Sequence, residues 1–114
     1  MAKNKDDNIY QVITAIDSMD QALKMSRILV EEHLAACVQL IGPVTSTYRW
    51  QGNIEQSEEF LLLIKTSCQR YDALENRIKE LHPYELPEIV AVKSGMVSSE
   101  FEKWVKDNTN SIQK

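Results

Sequence analysis

Between residues 81 and 88 the chain runs Leu81-His82-Pro83-Tyr84-Glu85-Leu86-Pro87-Glu88, gathering an imidazole, a phenol and two carboxylates into eight positions. Each proline fixes its own φ and biases the residue before it toward extended backbone, so His82 and Leu86 leave helical geometry and the polar groups point in few directions. Borderline divalent ions such as copper and zinc prefer imidazole, with carboxylate as a weaker addition. His82 with Glu85 or Glu88 would therefore supply part of a metal site that other elements or another subunit complete. The same residues also suit a helix stop followed by a strand start, with His82 as a helix cap. The other imidazole, His33, falls at the end of an earlier helix, where it is expected to meet that helix's last carbonyls.

The remaining chemistry-bearing residues are sparse. The three glycines are isolated, which excludes a Gly-rich phosphate loop, and neither a Gly-x-Ser-x-Gly elbow nor a His-Glu-x-x-His zinc helix occurs. No catalytic constellation stands out, and no enzymatic activity is expected. Cys37 and Cys68 form no Cys-x-x-Cys pair and read as two free thiols, Cys37 buried in an apolar run and Cys68 opening a helix. Lys65 closes an otherwise apolar run, Leu62-Leu63-Ile64, where it either snorkels to an edge or serves an anion or metabolite site. In that second reading Cys37, Lys65, Tyr84 and Glu88 lie near the ends of elements that would meet, with Trp50 of a neighbouring subunit closing over them.

These side chains have to be positioned by 114 residues, enough for one domain and too few for a second core. Any large site would be shared between subunits. A net charge of -4 gives no basic face for nucleic acid. No apolar run approaches the roughly 20 residues that span a bilayer. The start, Met1-Ala2-Lys3-Asn4-Lys5-Asp6-Asp7-Asn8, lacks the apolar segment of a signal peptide, so a cytoplasmic location is expected.

The elements follow from periodicity. Ile9 to Ile16 is β-branched and aromatic and reads as a strand apolar on both faces. Ser18 with Gln21 starts a helix whose apolar face is Ala22, Met25, Leu29 and Val30, running to about His33, with Arg27 and Glu31 paired on the wet side. Ala36 to Ile41 is a second strand, interrupted at Gly42-Pro43 by a bulge or bend and resumed from Val44 to Trp50. Gln51-Gly52-Asn53 turns the chain into a third strand, Ile54 to Thr66. This hairpin is long, and its outer half mixes Tyr48 and Trp50 with Arg49, Glu55, Glu58 and Glu59, as an arm pairing with another subunit would. Thr66 and Gln69 suggest a capping box for a helix with Tyr71, Leu74, Ile78 and Leu81 on its apolar side. Glu88 to Ser94 is a fourth strand, and Ser98 caps a last helix with Phe101, Trp104 and Val105 on its apolar side. Residues 1–8 read as a disordered tail, 9–107 as the domain and 108–114 as a frayed tail.

The order β-α-β-β-α-β plus a terminal helix predicts an α+β, ferredoxin-like sandwich with an antiparallel sheet and both helices on one face. The first and third strands are apolar on both sides, so the other sheet face is expected to be buried by assembly, three sheets around an axis being one solution.

Four segments in order, Leu34-Ala35-Ala36-Cys37, Tyr48-Arg49-Trp50-Gln51-Gly52, Leu63-Ile64-Lys65-Thr66 and His82-Pro83-Tyr84 with Pro87-Glu88, resemble the hallmark segments of the CutA divalent-cation tolerance proteins over about residues 9 to 106. The resemblance implies a tight homotrimer similar in build to the PII signalling proteins, with the hairpin crossing onto a neighbour. It also implies a link to tolerance of copper and other divalent cations. Carried over by motif, the family's intersubunit cleft would contain Cys37, Trp50, Lys65, Tyr84 and Glu88. Of the copper ligands proposed in the family, Thr14 stands here at a cysteine position and Leu81 at a histidine position, leaving His82. A cytosolic homotrimer binding Cu(II) or another divalent cation weakly is therefore expected. The rival is a PII-like module that binds a small anion or metabolite in the cleft and signals to a protein partner.

Overall fold

The computed structural model describes residues 9–110; the tail expected at 1–8 and residues 111–114 of the tail expected at 108–114 lie outside the described residues. The elements are β1 (Ile9–Ile16), α1 (Met19–Glu31), β2 (Cys37–Trp50), β3 (Asn53–Ser67), a 3-10 turn (Cys68–Arg70), α2 (Tyr71–Leu81), β4 (Val90–Lys93) and α3 (Ser99–Asn108). The four strands form one antiparallel sheet in the order β2-β3-β1-β4. This is the expected ferredoxin-like arrangement.

Register assigns the two sheet faces. Even-numbered residues of β1 and β3, among them Val12, Ile16, Leu62 and Ile64, pack with Ala22, Met25 and Leu29 of α1 and Leu74 and Ile78 of α2 in one buried cluster. Odd-numbered residues face the other way, where α3 covers one corner by setting Val105 against Ile9 and Ala36. At the other end the loop at residues 84–88 lies over Ala15 and Glu59, and among the described residues the stretch between is open. Cys37, Lys65, Gln11 and Val92 form one row across it, and Gln39, Leu63, Ile13 and Val90 the next. Val90 and Val92 are about half exposed, as is Ile41 in the following row.

Local chemistry sets the helix ends. The Ser18 hydroxyl accepts from the Gln21 N–H at 3.2 Å, and the Ser98 hydroxyl from the Phe101 N–H at 3.2 Å, satisfying donors that a helix start leaves free. The expected capping box at Thr66 and Gln69 does not form. Thr66 is buried at the end of β3 and donates its hydroxyl to the Leu34 carbonyl at 2.7 Å, while α2 starts at Tyr71, after the 3-10 turn, without a side-chain cap. His33 sits at φ 59 just past α1, and its backbone N–H bonds the Val30 carbonyl. Its ring, expected at α1's own carbonyls, instead bonds the Asn108 carbonyl at 3.1 Å and ties α3 to the end of α1. Val30 of the expected α1 stripe is exposed. Phe101 and Trp104 likewise stack on each other outside the core, with ring centroids 5.7 Å apart, leaving Val105 as α3's buried residue. The first two residues of the expected 108–114 tail belong to α3 and its cap. Asn108 ends α3, and the buried Thr109 hydroxyl lies 2.8 Å from the Val105 carbonyl and 2.9 Å from the Ser67 hydroxyl.

Thr14 faces the helices among aliphatic neighbours, fully buried, and its hydroxyl has no hydrogen-bond partner among the described residues. An unsatisfied buried hydroxyl costs about 1–3 kcal/mol. Thr14→Val removes it at nearly constant volume and is expected to raise stability by about 1 kcal/mol, read as a higher denaturant midpoint with an unchanged m-value. A lower midpoint would mean that the hydroxyl has a partner after all.

Candidate functional site

The outer half of the β2-β3 hairpin and the 84–88 loop enclose a groove of about 670 Å³. The offset at Gly42-Pro43 determines what lines it. Between the pairs Ile41↔Leu61 and Val44↔Glu59, β2 has two residues where β3 has one, so side-chain parity in β2 reverses. Below the bulge Cys37, Gln39 and Ile41 face the open side; above it Ser46, Tyr48 and Trp50 do. The chain reverses at Gln51 (φ 51) and Gly52 (φ 85), the paired positive φ values of a type I′ hairpin.

Tyr84 closes the groove against the sheet. Its phenol donates to Glu59 Oε2 at 2.7 Å, and burial followed by the neighbouring Glu59 carboxylate pushes its pKa well above the usual phenol value, so the group stays protonated as the donor. Asp17, Glu59, Glu85 and Glu88 bring four carboxylates to the lining and Arg49 one guanidinium, with Tyr48, Trp50 and Tyr84 as aromatic walls. The field in the groove is negative. It attracts cations and disfavours anions.

His82, the expected metal ligand, is enclosed by the fold. It is 8% exposed, its Nε2–H donates to the Ala15 carbonyl at 3.0 Å, and its Nδ1 accepts the Tyr84 backbone N–H at 3.1 Å. Both ring nitrogens are engaged, and the lone pair a metal would need is already taken. Burial lowers the His82 pKa below its ordinary value, against smaller opposing effects of the Ala15 carbonyl, Glu59 and Asp17. Among the described residues no three His, Cys, Asp or Glu side chains form a group able to hold a metal ion. The sequence-based capping reading of His82 is the closer one: its backbone N–H also closes α2 on the Ile78 carbonyl at 2.8 Å.

Of the five residues expected in the cleft, the groove of one chain gathers Trp50, Tyr84 and Glu88. Cys37 and Lys65 stand elsewhere, paired with each other across β2 and β3 on the open face. They lie four register positions from the Ile41, Leu61 and Ala15 row, about 13 Å along the strands. Lys65 donates to Gln39 Oε1 at 2.8 Å. Cys37 is half-buried on that face, not sealed in the core. Cys68, at the 3-10 turn, points its thiol at the Tyr10 hydroxyl at 3.6 Å. Sequence reasoning passed over Asp17 and the role of Glu59. The available signal for Glu59 was its position where the polar arm turns into the apolar run Phe60-Leu61-Leu62.

Sheet order, helix placement and the outgrown hairpin define a ferredoxin-like domain with an aromatic, acidic groove under its arm. The sequence model of the CutA1 divalent ion tolerance protein family matches residues 10–108. The divalent-cation tolerance protein CutA of Thermus thermophilus is 42% identical over 98 residues, which is 86% of this chain and 95% of that protein. Human protein CutA is 38% identical over 91 residues, 80% of this chain and 51% of its own, so the chain spans about half the length of that relative. Among solved structures, a divalent cation tolerance protein from Thermus thermophilus superposes with a TM-score of 0.87 at 40% identity, covering 90% of this chain and 99% of that one. CutA1 from Oryza sativa superposes with a TM-score of 0.88 at 27% identity, covering 94% and 98%. This chain belongs to the CutA1 divalent ion tolerance protein family.

Proposed function

We propose that the chain acts as a cytosolic homotrimer in divalent-cation tolerance, with no bond-breaking chemistry. Its contact with copper-type and other divalent ions is weak and electrostatic, held by the field of the carboxylate-lined groove and not by His82. The observation that carries this reading is the groove's charge, four carboxylates against one guanidinium, beside an imidazole whose ring nitrogens are both engaged. Without a closed ligand set, a divalent ion keeps most of its water and affinity falls as salt rises. The trimer is supported by the open sheet face, where Ile13, Ile41, Leu61, Leu63, Val90 and Val92 would otherwise meet water.

Native mass spectrometry of the tag-free protein, alone and titrated with Cu(II) and Zn(II), tests both halves of the proposal. A trimer with fractional metal uptake that is unchanged by His82→Asn and lost in moderate salt is the expected result. Three tightly held metals per trimer that disappear in that variant would restore His82 as a ligand and overturn the weak electrostatic reading. The PII-like alternative, a small anion or metabolite bound between subunits and a signal passed to a protein partner, draws on Lys65, an ammonium group on the open face beside Gln39. It requires an unexplained small mass on the trimer as isolated, abolished by Lys65→Met.

A further inference from the structure

The loop that roofs the groove is fastened through one histidine ring. From β1, the Ala15 carbonyl accepts His82 Nε2–H at 3.0 Å; on the other side of the ring, Nδ1 accepts the Tyr84 N–H at 3.1 Å. Tyr84 then reaches β3, donating its phenol to Glu59 at 2.7 Å, and its ring packs edge-on against the imidazole with centroids 4.7 Å apart. A carbonyl on one side and an N–H on the other allow only the neutral imidazole with its proton on Nε2. The imidazolium has two N–H groups and no lone pair, so its Nδ1–H would face the Tyr84 N–H with neither able to accept.

We propose that His82 is a proton-operated latch: when its ring is neutral the 83–88 loop is bound to the sheet, and when the ring takes a proton the loop lifts and the groove opens. The latch itself rests on hydrogen bonds alone; only its consequence for a ligand rests on the groove being the functional site. Charged groups stand on each element around the ring, and two of them act on it. Glu59 of β3 and Asp17 after β1 both draw a proton toward it, and burial opposes them with the larger effect. On α2, Lys79 pairs with Glu75 and Glu80 with Arg77, which offsets those charges locally. Tyr84 stays neutral, and Glu85 and Glu88 line the groove from the loop itself. Because the folded pKa lies below 6.5, the unfolded chain binds more protons in the window between the two values. The stability from neutral His82 is therefore complete above pH 6.5 and falls as pH falls toward the folded pKa.

The test is a pH titration of the assembled protein by NMR without any ligand, following the His82 ring nitrogens and the Tyr84 amide. At neutral pH the ring should carry its proton on Nε2. The Tyr84 amide shift should move with the midpoint of His82, below 6.5, while exchange at that amide, corrected for its intrinsic pH dependence, accelerates about tenfold or more. His82→Asn keeps an acceptor near the Nδ1 position that cannot titrate, and should hold the Tyr84 amide protected through the same range. Glu59→Gln keeps the acceptor for Tyr84 but removes a charge that favours protonation, so the midpoint should move lower still. A Tyr84 amide that ignores the His82 titration, a pH response that survives in His82→Asn, or a midpoint unmoved in Glu59→Gln would each overturn the latch. Failure of metal or ligand binding would not affect this readout, so the two proposals fail separately.

Discussion

Ile13→Lys is expected to dissociate the proposed trimer into folded monomers. Ile13 stands on the central strand β1 between Leu63 of β3 and Val90 of β4, near the middle of the open face, and Lys65 lies on the diagonal. In an assembly sealed by that face, each copy would bury an ammonium group with no opposite charge beside it. Removing the partner of a buried charge costs about 3–5 kcal/mol, and a trimer would carry that cost three times around its axis. In the monomer the same side chain meets water, and the helix-covered core of Val12, Ile16, Leu62 and Ile64 lies on the opposite side of the sheet. Sedimentation or native mass spectrometry should therefore report a single subunit, with the far-UV circular dichroism of the parent. Leu23→Lys, on the half-exposed outer side of α1, is the control and should leave the assembly intact. A trimer that tolerates lysine at residue 13 would mean that the interface lies elsewhere and that the open face has another purpose.

What was legible in the sequence and what was not divide along the range of the interactions. Element order could be read because the signals are local: β-branched runs, Ser18 and Ser98 as caps, the bulge dipeptide Gly42-Pro43, and the spacing of Leu74 and Ile78. Which side of a two-sided apolar strand the helices cover depends on pairing register, which no single strand carries. Val12 and Ile13 look equivalent in sequence and lie on opposite faces. The same limit applies to His82. Its type and its neighbours suit a metal ligand, but its two bonds reach Ala15, 67 residues away in sequence, and the backbone of Tyr84. The capping alternative for His82 was local and came closer. The ring of His33 went the other way: its expected partner was local, but its actual one, Asn108, is 75 residues distant. A short motif suggests Thr66 as a cap, whereas a long-range carbonyl at Leu34 takes its hydroxyl. For the groove, Trp50, Tyr84 and Glu88 were visible as unusual residues in unusual settings. Glu59 and Asp17 became part of it only through the tertiary arrangement.

The second large effect is expected at Gly42, which no chemistry-bearing motif contains. Its φ is +154, a backbone conformation that side-chain-bearing residues rarely adopt, and an added Cβ would stand 2.9 Å from the Glu59 carbonyl oxygen and 2.8 Å from Phe60 Cδ1. The phenylalanine ring can swing away. The carbonyl belongs to the adjacent strand and cannot move without disturbing the ladder. Gly42→Ala should therefore cost about 2–5 kcal/mol, combining backbone strain with overpacking. The damage should be directional because the bulge sets the parity of everything beyond it. If the alanine chain relieves the clash by closing the bulge, Val44 to Trp50 shift by one position and Tyr48 and Trp50 turn to the opposite side of the arm. Glu59, whose backbone is the point of collision, would then withdraw its carboxylate from Tyr84 and loosen the loop over the groove. Trp50 fluorescence in a Trp104→Phe background, together with a denaturation midpoint, separates the outcomes. A lower midpoint with an altered Trp50 emission is expected; a lower midpoint with unchanged emission would show that the arm keeps its register and that glycine at residue 42 relieves strain without determining which side chains face the groove.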